Sequence, residues 1–452
     1  MKKLLIFFCL CLAIMPSFTF FCNAAYNSEL VSFTPEVFFL ANADTDTVIF
    51  SKNEDVICAP ASLVKIATAV LALEFCEKPD TVVTVSGSAI EPLLGTGSTV
   101  AGLIKGERVS MRDLLYCLLL PGANDAANVI AEQIAKEIPI FINLMNDFAK
   151  AIGCKNTNFV NAHGLDREDQ TTTAADMYLI LKHAIGIPMF KEIIAEYGYT
   201  VPKTNKSAAR NVYNRNPLIN SYSDYYYKYS VGGITGSTQQ SGECLASLAQ
   251  KDGYTYICIA MKGSYEHING SSEKLNTSFV ASKKMYQWAF ENMKLKIVAD
   301  TSRIVDEIKV SSGEDTDYVP LVPEKEITAL VPLSAQPEGL SIITDISTKP
   351  ASVAAPVKKG QIIAQADIYY SKTVVARVNL VALNDVERSE KKAIVFALKN
   401  FFTSKPFFAV LIVFAAGIIV FVALAYVRGK KNPKKKKAGR KPENNRYTNF
   451  KK

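Results

Sequence analysis

The chain has 452 residues, 51 Lys/Arg against 43 Asp/Glu, 49% hydrophobic residues and a formal charge of +8. This composition excludes disorder on the scale of the fold, and the length exceeds one ordinary domain. The charge is local: Arg428 to Lys452 holds twelve basic and one acidic side chain, a net +11, and Lys2 and Lys3 add +2, which leaves residues 4–427 at −5. A mildly acidic body excludes nucleic acid as a partner.

In chain order, Lys2-Lys3 precedes an apolar run from Leu4 to Phe21 and then Cys22-Asn23-Ala24-Ala25. A basic start, an apolar stretch and small residues at the end describe a secretory signal peptide over 1–25, cut after Ala24 or Ala25; the other reading is an uncleaved anchor. Two short apolar segments around Asn42-Ala43-Asp44-Thr45-Asp46 predict a β-hairpin from Val37 to Ser51. Pro60-Ala61 opens a helical pattern that runs to Phe75. Gly95, Gly97 and Gly102 mark loops, helices follow near 110–120, 123–137 and 139–152, Asn158 to Leu165 is a loop, and 174–186 is again helical.

Tyr229 to Ile234, Glu243 to Ala249 and Tyr254 to Lys262 read as an antiparallel meander, closed by a helix from Lys274 to Met293. Strands around a helical middle indicate an α+β layer arrangement rather than a doubly wound sheet. Leu295–Val298, Glu307–Val310, Glu326–Val331, Gly360–Ile368 and Thr373–Leu383 are short strands with Pro-rich connections, a small all-β domain. The expected layout is 26–293 for the α+β domain, 294–386 for the β domain and 387–406 for a linker containing an amphipathic segment. Phe407 to Val427 has no charged residue. As a helix it is roughly 32 Å long, enough for a ~30 Å hydrocarbon core. The basic tail 428–452 orients that span with its C-terminus in the cytoplasm and the body outside, and can touch anionic headgroups.

Outside the leader, Cys58, Cys76, Cys117, Cys154, Cys244 and Cys258 are widely spaced and form no Cys-x-x-Cys, so they read as buried free thiols. Three dispersed histidines offer no metal-ligand spacing, and no metal is expected.

One motif carries chemistry. In Ser62-Leu63-Val64-Lys65 the serine and lysine share a helix face, so an uncharged amine can take the hydroxyl proton and make Ser62 a nucleophile. Burial has to lower the lysine pKa for that. The spacing alone is weak: Ser271–Lys274 and Ser389–Lys392 share it.

Context distinguishes the first match. Pro60 to Ala69 resembles the nucleophile segment of the D-alanyl-D-alanine carboxypeptidases, the low-molecular-mass penicillin-binding serine peptidases. The similarity continues in Asn42 to Phe50, Leu114-Leu115-Tyr116, Asn124-Asp125-Ala126-Ala127, Asn158 to Leu165 and Thr171 to Met177, and covers nearly the whole mature chain. It implies a β-lactamase/DD-peptidase-like α+β domain, a small C-terminal β domain, a membrane anchor and no cofactor. Ser62, Lys65 and Asn124 would be catalytic. Thr235, Gly236 and Ser237 would bind substrate, with an oxyanion hole from the N–H groups of Ser62 and Ser237. Substrates would be peptidoglycan stem peptides ending in D-Ala-D-Ala, and β-lactams would acylate the same serine.

Two family signatures are altered. The second reads Gly122-Ala123-Asn124, without its serine, and the third Ile234-Thr235-Gly236, without its lysine. Arg215 sits where some relatives keep an arginine near the substrate carboxylate; it either stands in for the lysine or is a surface arginine before a turn. His163 reads as a loop anchor rather than a base, and Tyr225, Tyr226, Tyr227 and Tyr229 as packing. The leading expectation is a serine carboxypeptidase, with turnover weakened by Gly122 and Ile234. An impaired peptidoglycan- or penicillin-binding module is the alternative, and a β-lactamase ranks third.

Overall fold

The computed structural model describes residues 35–267, 272–336, 339–370 and 373–430. The leader and most of the basic tail lie outside the described residues. The centre of the first compact unit is a five-stranded antiparallel sheet in the order β2-β1-β9-β8-β7. Its strands are β1 (Val37–Asn42), β2 (Val48–Lys52), β7 (Ser230–Thr238), β8 (Gly242–Lys251) and β9 (Tyr254–Gly263). Between β2 and β7 the chain forms β3 (Val82–Thr84) with β4 (Arg108–Ser110), β5 (Gly198–Val201) with β6 (Arg210–Tyr213), and a set of helices.

Both faces of the sheet are covered, which explains why its strands read as continuous apolar runs. Side chains alternate across a strand. Val37, Phe39 and Ala41 face the helical side, while Phe38 and Leu40 pack with Tyr286, Ala289 and Phe290 on the other. The helix α1 (Val64–Phe75) is buried on all sides from Val64 to Ala72, so its residues show no polar face. Around it lie α2 (Gly87–Ile90), α3 (Met111–Leu119), α4 (Asn124–Ala135), α5 (Ile138–Ala151), α6 (Ala174–Ile185) and α7 (Pro188–Ala195). The opposite face is covered by α8 (Thr277–Asn292), whose N-cap Asn276 accepts from the Ser278 and Phe279 amides.

The hairpin, the helices near 110–120, 123–137, 139–152 and 174–186, and the meander occur as expected. Four features differ. Ser62 lies in a 3₁₀ turn, Ala61–Leu63, before α1 rather than inside it. Strand β7 continues four residues past Ile234, because Thr235 to Thr238 stay paired with β8. The helix read from Lys274 begins at Thr277, since Lys274–Asn276 is the short strand β11 paired with β10 (Tyr265–His267). The β5–β6 hairpin and α7 carry too few periodic residues to stand out in sequence.

The first unit holds the described residues to Val305 with Pro323–Thr348 and Ala364–Leu380; the second holds Asp306–Val322, Lys349–Ile363 and Val381 onward. In the first, β12 (Met293–Ala299) pairs antiparallel with Ile327–Pro332, and Leu340–Thr344 pairs with Ala366–Tyr370. In the second, Asp306–Lys309 pairs antiparallel with Tyr318–Leu321, and Val310-Ser311 runs parallel to Val353-Ala354. The all-β character expected after residue 293 is present. Two helices end the described chain, Glu390–Phe402 and Lys405–Lys430. In the latter, Lys405–Val427 is long and apolar enough to cross a membrane, and none of its residues is buried.

Candidate active site

Ser62, Asn124, Arg215, Thr235, Gly236 and Ser237 converge on one cleft of about 420 Å³, and Lys65 lies directly beneath it. The 3₁₀ turn and the start of α1 set Ser62 against Lys65. Residues three apart eclipse in a 3₁₀ helix, and Lys65 Nζ donates to Ser62 Oγ at 2.9 Å. The lysine is fully buried and also donates to the His163 carbonyl. Burial first, and the Arg215 charge second, hold its pKa at about 7, while Asp125 pulls the other way. The amine is therefore part neutral near pH 7, the state a proton acceptor requires.

The Ala61–Ser62 peptide is clamped between two glycines. A Cβ on Gly236 would lie 2.7 Å from the Ser62 nitrogen, and one on Gly164 would lie 1.9 Å from the Ala61 carbonyl oxygen. Gly164 also has φ +90°, and Ala61 itself has φ 47°, an uncommon value for a residue with a Cβ. Gly164→Ala is expected to destabilise the domain by ~2–4 kcal/mol and to slow acylation, because the turn bearing Ser62 has to move. Thermal denaturation and acylation rates of this variant check it.

The segment from Asn161 to Leu165 is held by its own polar atoms. Asn161 Oδ1 accepts from the Gly164 amide at 2.6 Å and from Gln170 Nε2 at 3.0 Å. His163 Nδ1 accepts from the Leu165 amide at 3.2 Å, and burial, then the Lys65 charge, pushes its pKa down to about 3. His163 is a neutral loop anchor, as its sequence context indicates. Asp125 fixes the opposite wall: its carboxylate accepts from the Ala101 and Leu103 amides at 2.8 and 3.0 Å. That bond set holds the loop whose Gly97, Ser98 and Thr99 line the cleft.

The altered signatures have clear local consequences. Gly122 has φ +77°, and a Cβ there would stand 3.9 Å from Ser62 Oγ, so the absent serine side chain would face Ser62. Ile234 is 2% exposed and belongs to the helical-side core. The third-signature position is thus apolar. Arg215 is exposed, lines the cleft and donates from Nη1 to Thr99 Oγ1 at 3.1 Å. It is the cation among the described lining residues.

Several lining residues were not singled out in the sequence: Ser98, Thr99, Glu243, Tyr265 and Phe279. Their signal exists only for Ser98 and Thr99, in a glycine-rich loop. Asp166, outside the lining, was also not singled out: it accepts from Thr238 Oγ1 at 2.6 Å and joins the 158–170 loop to the end of β7. The tyrosines behave as packing: Tyr227 stacks on Tyr286 with centroids 6.0 Å apart, and Tyr229 lies against Phe290. All six described cysteines are free, but only four are buried, Cys76 and Cys154 being half-buried; burial pushes the Cys58 thiol up to about 11 and those of Cys117, Cys244 and Cys258 up to about 12. Among the described residues no group of His, Cys, Asp or Glu is arranged to hold a metal.

A serine bonded to a buried lysine, in a cleft at the edge strand of an antiparallel sheet, defines a serine–lysine acyl-transfer protein. Residues 25–264 match the family "D-alanyl-D-alanine carboxypeptidase", and residues 294–388 match "Penicillin-binding protein 5, C-terminal domain". The first match spans more than half of the chain, which belongs to the D-alanyl-D-alanine carboxypeptidase family. Among curated relatives, the D-alanyl-D-alanine carboxypeptidase DacA of Haemophilus influenzae is 27% identical, over 78% of this chain and 85% of the relative. DacF of Bacillus subtilis is 25% identical over 77% and 85%. The crystal structure of penicillin binding protein 5 from Haemophilus influenzae superposes with a TM-score of 0.63 at 26% identity, covering 78% of this chain and 98% of that one.

Proposed function

We propose that this chain is a serine-type D-alanyl-D-alanine carboxypeptidase that removes the terminal D-Ala of peptidoglycan stem peptides. The observation that carries the reading is the 2.9 Å contact from a buried Lys65 amine to Ser62 Oγ, at the floor of an open cleft. Neutral Lys65 takes the Ser62 proton as Oγ attacks the carbonyl between the two D-alanines. The N–H groups of Ser62 and Ser237 receive the oxyanion, on a turn and an edge strand held in place before substrate arrives. The C–N bond breaks, protonated Lys65 returns a proton to the leaving D-Ala amine, and water hydrolyses the acyl-enzyme. Asn124, at the start of α4, bonds the peptide backbone, and no metal or organic cofactor enters. β-Lactams acylate the same oxygen. The family favours this enzyme over an impaired binding module. Release of D-Ala from a pentapeptide by the ectodomain tests the assignment; absence of release together with absence of Ser62-dependent penicillin labelling would overturn it.

Arg215, with Thr235 and Gly236 on β7, takes the terminal carboxylate in place of the lysine that Ile234 replaces. Its support is its position on the cleft wall and its charge beside Lys65. Arg215→Ala is expected to lower kcat/KM for D-Ala-D-Ala peptides roughly 10- to 150-fold, the worth of a charge-assisted hydrogen bond of ~1.5–3 kcal/mol. A peptide ending in a carboxamide serves as the control, since it lacks the anion and should respond little to the change.

The same reading includes the rest of the layout: a secretory leader over 1–25, the catalytic domain over 26–293, the β domain over 294–386, a linker over 387–406, a span over 407–427 and a cytoplasmic tail over 428–452. The apolar helix Lys405–Val427 and the basic residues after it support a single-pass protein with its catalytic body outside the cytoplasmic membrane. Trimming of stem peptides there would act on wall cross-linking and hence on cell shape.

A further inference from the structure

The cleft is electrically asymmetric along β7. Arg215 belongs to a segment packed beside the start of the cleft-facing stretch: a Cβ on Gly233 would lie 2.8 Å from Asn216 Nδ2. Glu243 lies at the other end, directly opposite Ser237 in the β7–β8 register. Gly233 and Ser237 are four residues apart, about 13 Å of strand at ~3.3 Å per residue. Ser62 meets the strand between them, at Gly236. A substrate whose carboxylate points to Arg215 therefore sends its acyl side toward Glu243.

The Glu243 carboxylate is held by hydrogen bonds, and among the described residues no cation forms an ion pair with it. Oε1 accepts from Ser237 Oγ at 2.7 Å, and Oε2 accepts from Asn276 Nδ2 at 3.0 Å. Asn276 is fully buried and caps α8, so a rigid element fixes the carboxylate. A carboxylate offers about four acceptor sites, and two are in use among the described residues. Of the described residues lining the cleft, Glu243 is the one acidic side chain. Two aromatic rings line the same end: Tyr265, which pairs with Asn276 across β10–β11, and Phe279, in the first turn of α8. Apolar walls beside a fixed anion suit an alkyl chain that ends in an ammonium.

We infer that Glu243 is a specificity-determining residue, which binds a protonated amine on the side chain of the residue preceding D-Ala-D-Ala. This rests on the carboxypeptidase reading and names the acyl-side substrate chemistry of that site. A purely structural Glu243, needed only to orient Ser237, would affect charged and uncharged substrates alike.

The test measures kcat/KM of the ectodomain for two tripeptides, Nα-acetyl-L-Lys-D-Ala-D-Ala with a free Nε amine and its Nα,Nε-diacetyl counterpart. The native protein is expected to favour the free amine roughly five- to tenfold at low salt. That ratio should shrink as ionic strength rises, and Glu243→Gln should bring it near one. Equal kcat/KM for the two peptides in the native protein, or an unchanged ratio in a folded Glu243→Gln variant, would overturn the inference. No turnover of either peptide by the native protein would overturn the carboxypeptidase reading with it, so the two failures are distinguishable.

Discussion

Ser62→Ala is expected to abolish covalent labelling by a fluorescent penicillin and to lower D-Ala release by at least ~10,000-fold. Among the described residues no other hydroxyl lining the cleft is hydrogen-bonded to Lys65. Ser237 Oγ is bonded to Glu243, and Thr99 Oγ1 to Arg215. Neither contacts Lys65, whose partners are Ser62 Oγ and the His163 carbonyl. The substitution removes one oxygen from a half-buried turn position, so the fold and noncovalent binding should persist. Labelling followed by gel fluorescence reads acylation, and release of free D-Ala reads turnover. Residual labelling at a second serine would show that the nucleophile has been misassigned.

Lys65→Met is expected to slow acylation by about 100- to 10,000-fold, the range for loss of a positioned general base. In the native protein the acid limb of kcat/KM should follow Lys65, rising with pH through about 7 as the amine loses its proton. The variant should lose that limb. Stability moves the opposite way. A lysine with pKa about 7 in the fold and the ordinary 10.5 when unfolded binds fewer protons in the folded state between those values. Its cost to the fold is therefore full below pH 7 and fades as pH rises toward 10.5. Lys65→Met should melt higher than the native protein near pH 6, by less near pH 10, with part of the gain offset because the His163 carbonyl loses its donor. A thermal scan at both pH values checks the sign, and a variant less stable at both would refute the buried-charge account.

Much of the site could be read along the chain because its key pair is local. Ser62 and Lys65 are three residues apart, and any 3₁₀ or α turn there brings them together. The same argument applies equally to Ser389 and Lys392, yet Lys392 reaches Asp317 Oδ1 at 3.2 Å on an exposed surface. Spacing alone could not separate the two. What separates them is burial, which lowers one amine's pKa and leaves the other solvated. Ile234 shows the limit from another side. Its sequence signals a missing lysine, but only the packed core shows that the position is apolar, so that a lysine restored there would have to bury an ammonium.

Periodicity, turn residues and a 21-residue uncharged run determined the α+β body, the β region, the apolar C-terminal helix and the location of the basic charge. Those are properties of neighbouring residues, and local rules reach them. Contacts across long stretches of chain belong to the tertiary structure alone. Gly164 and Gly236 close on the Ala61–Ser62 peptide from more than a hundred residues away, Arg215 comes beside Lys65, and Glu243 takes the far end of β7. Each depends on which strand forms the sheet edge and which loop folds over it. The sequence of 452 residues singled out the Ser62–Lys65 pair; the fold supplied the cleft, the lysine pKa and the charged side chains Arg215 and Glu243 that line it.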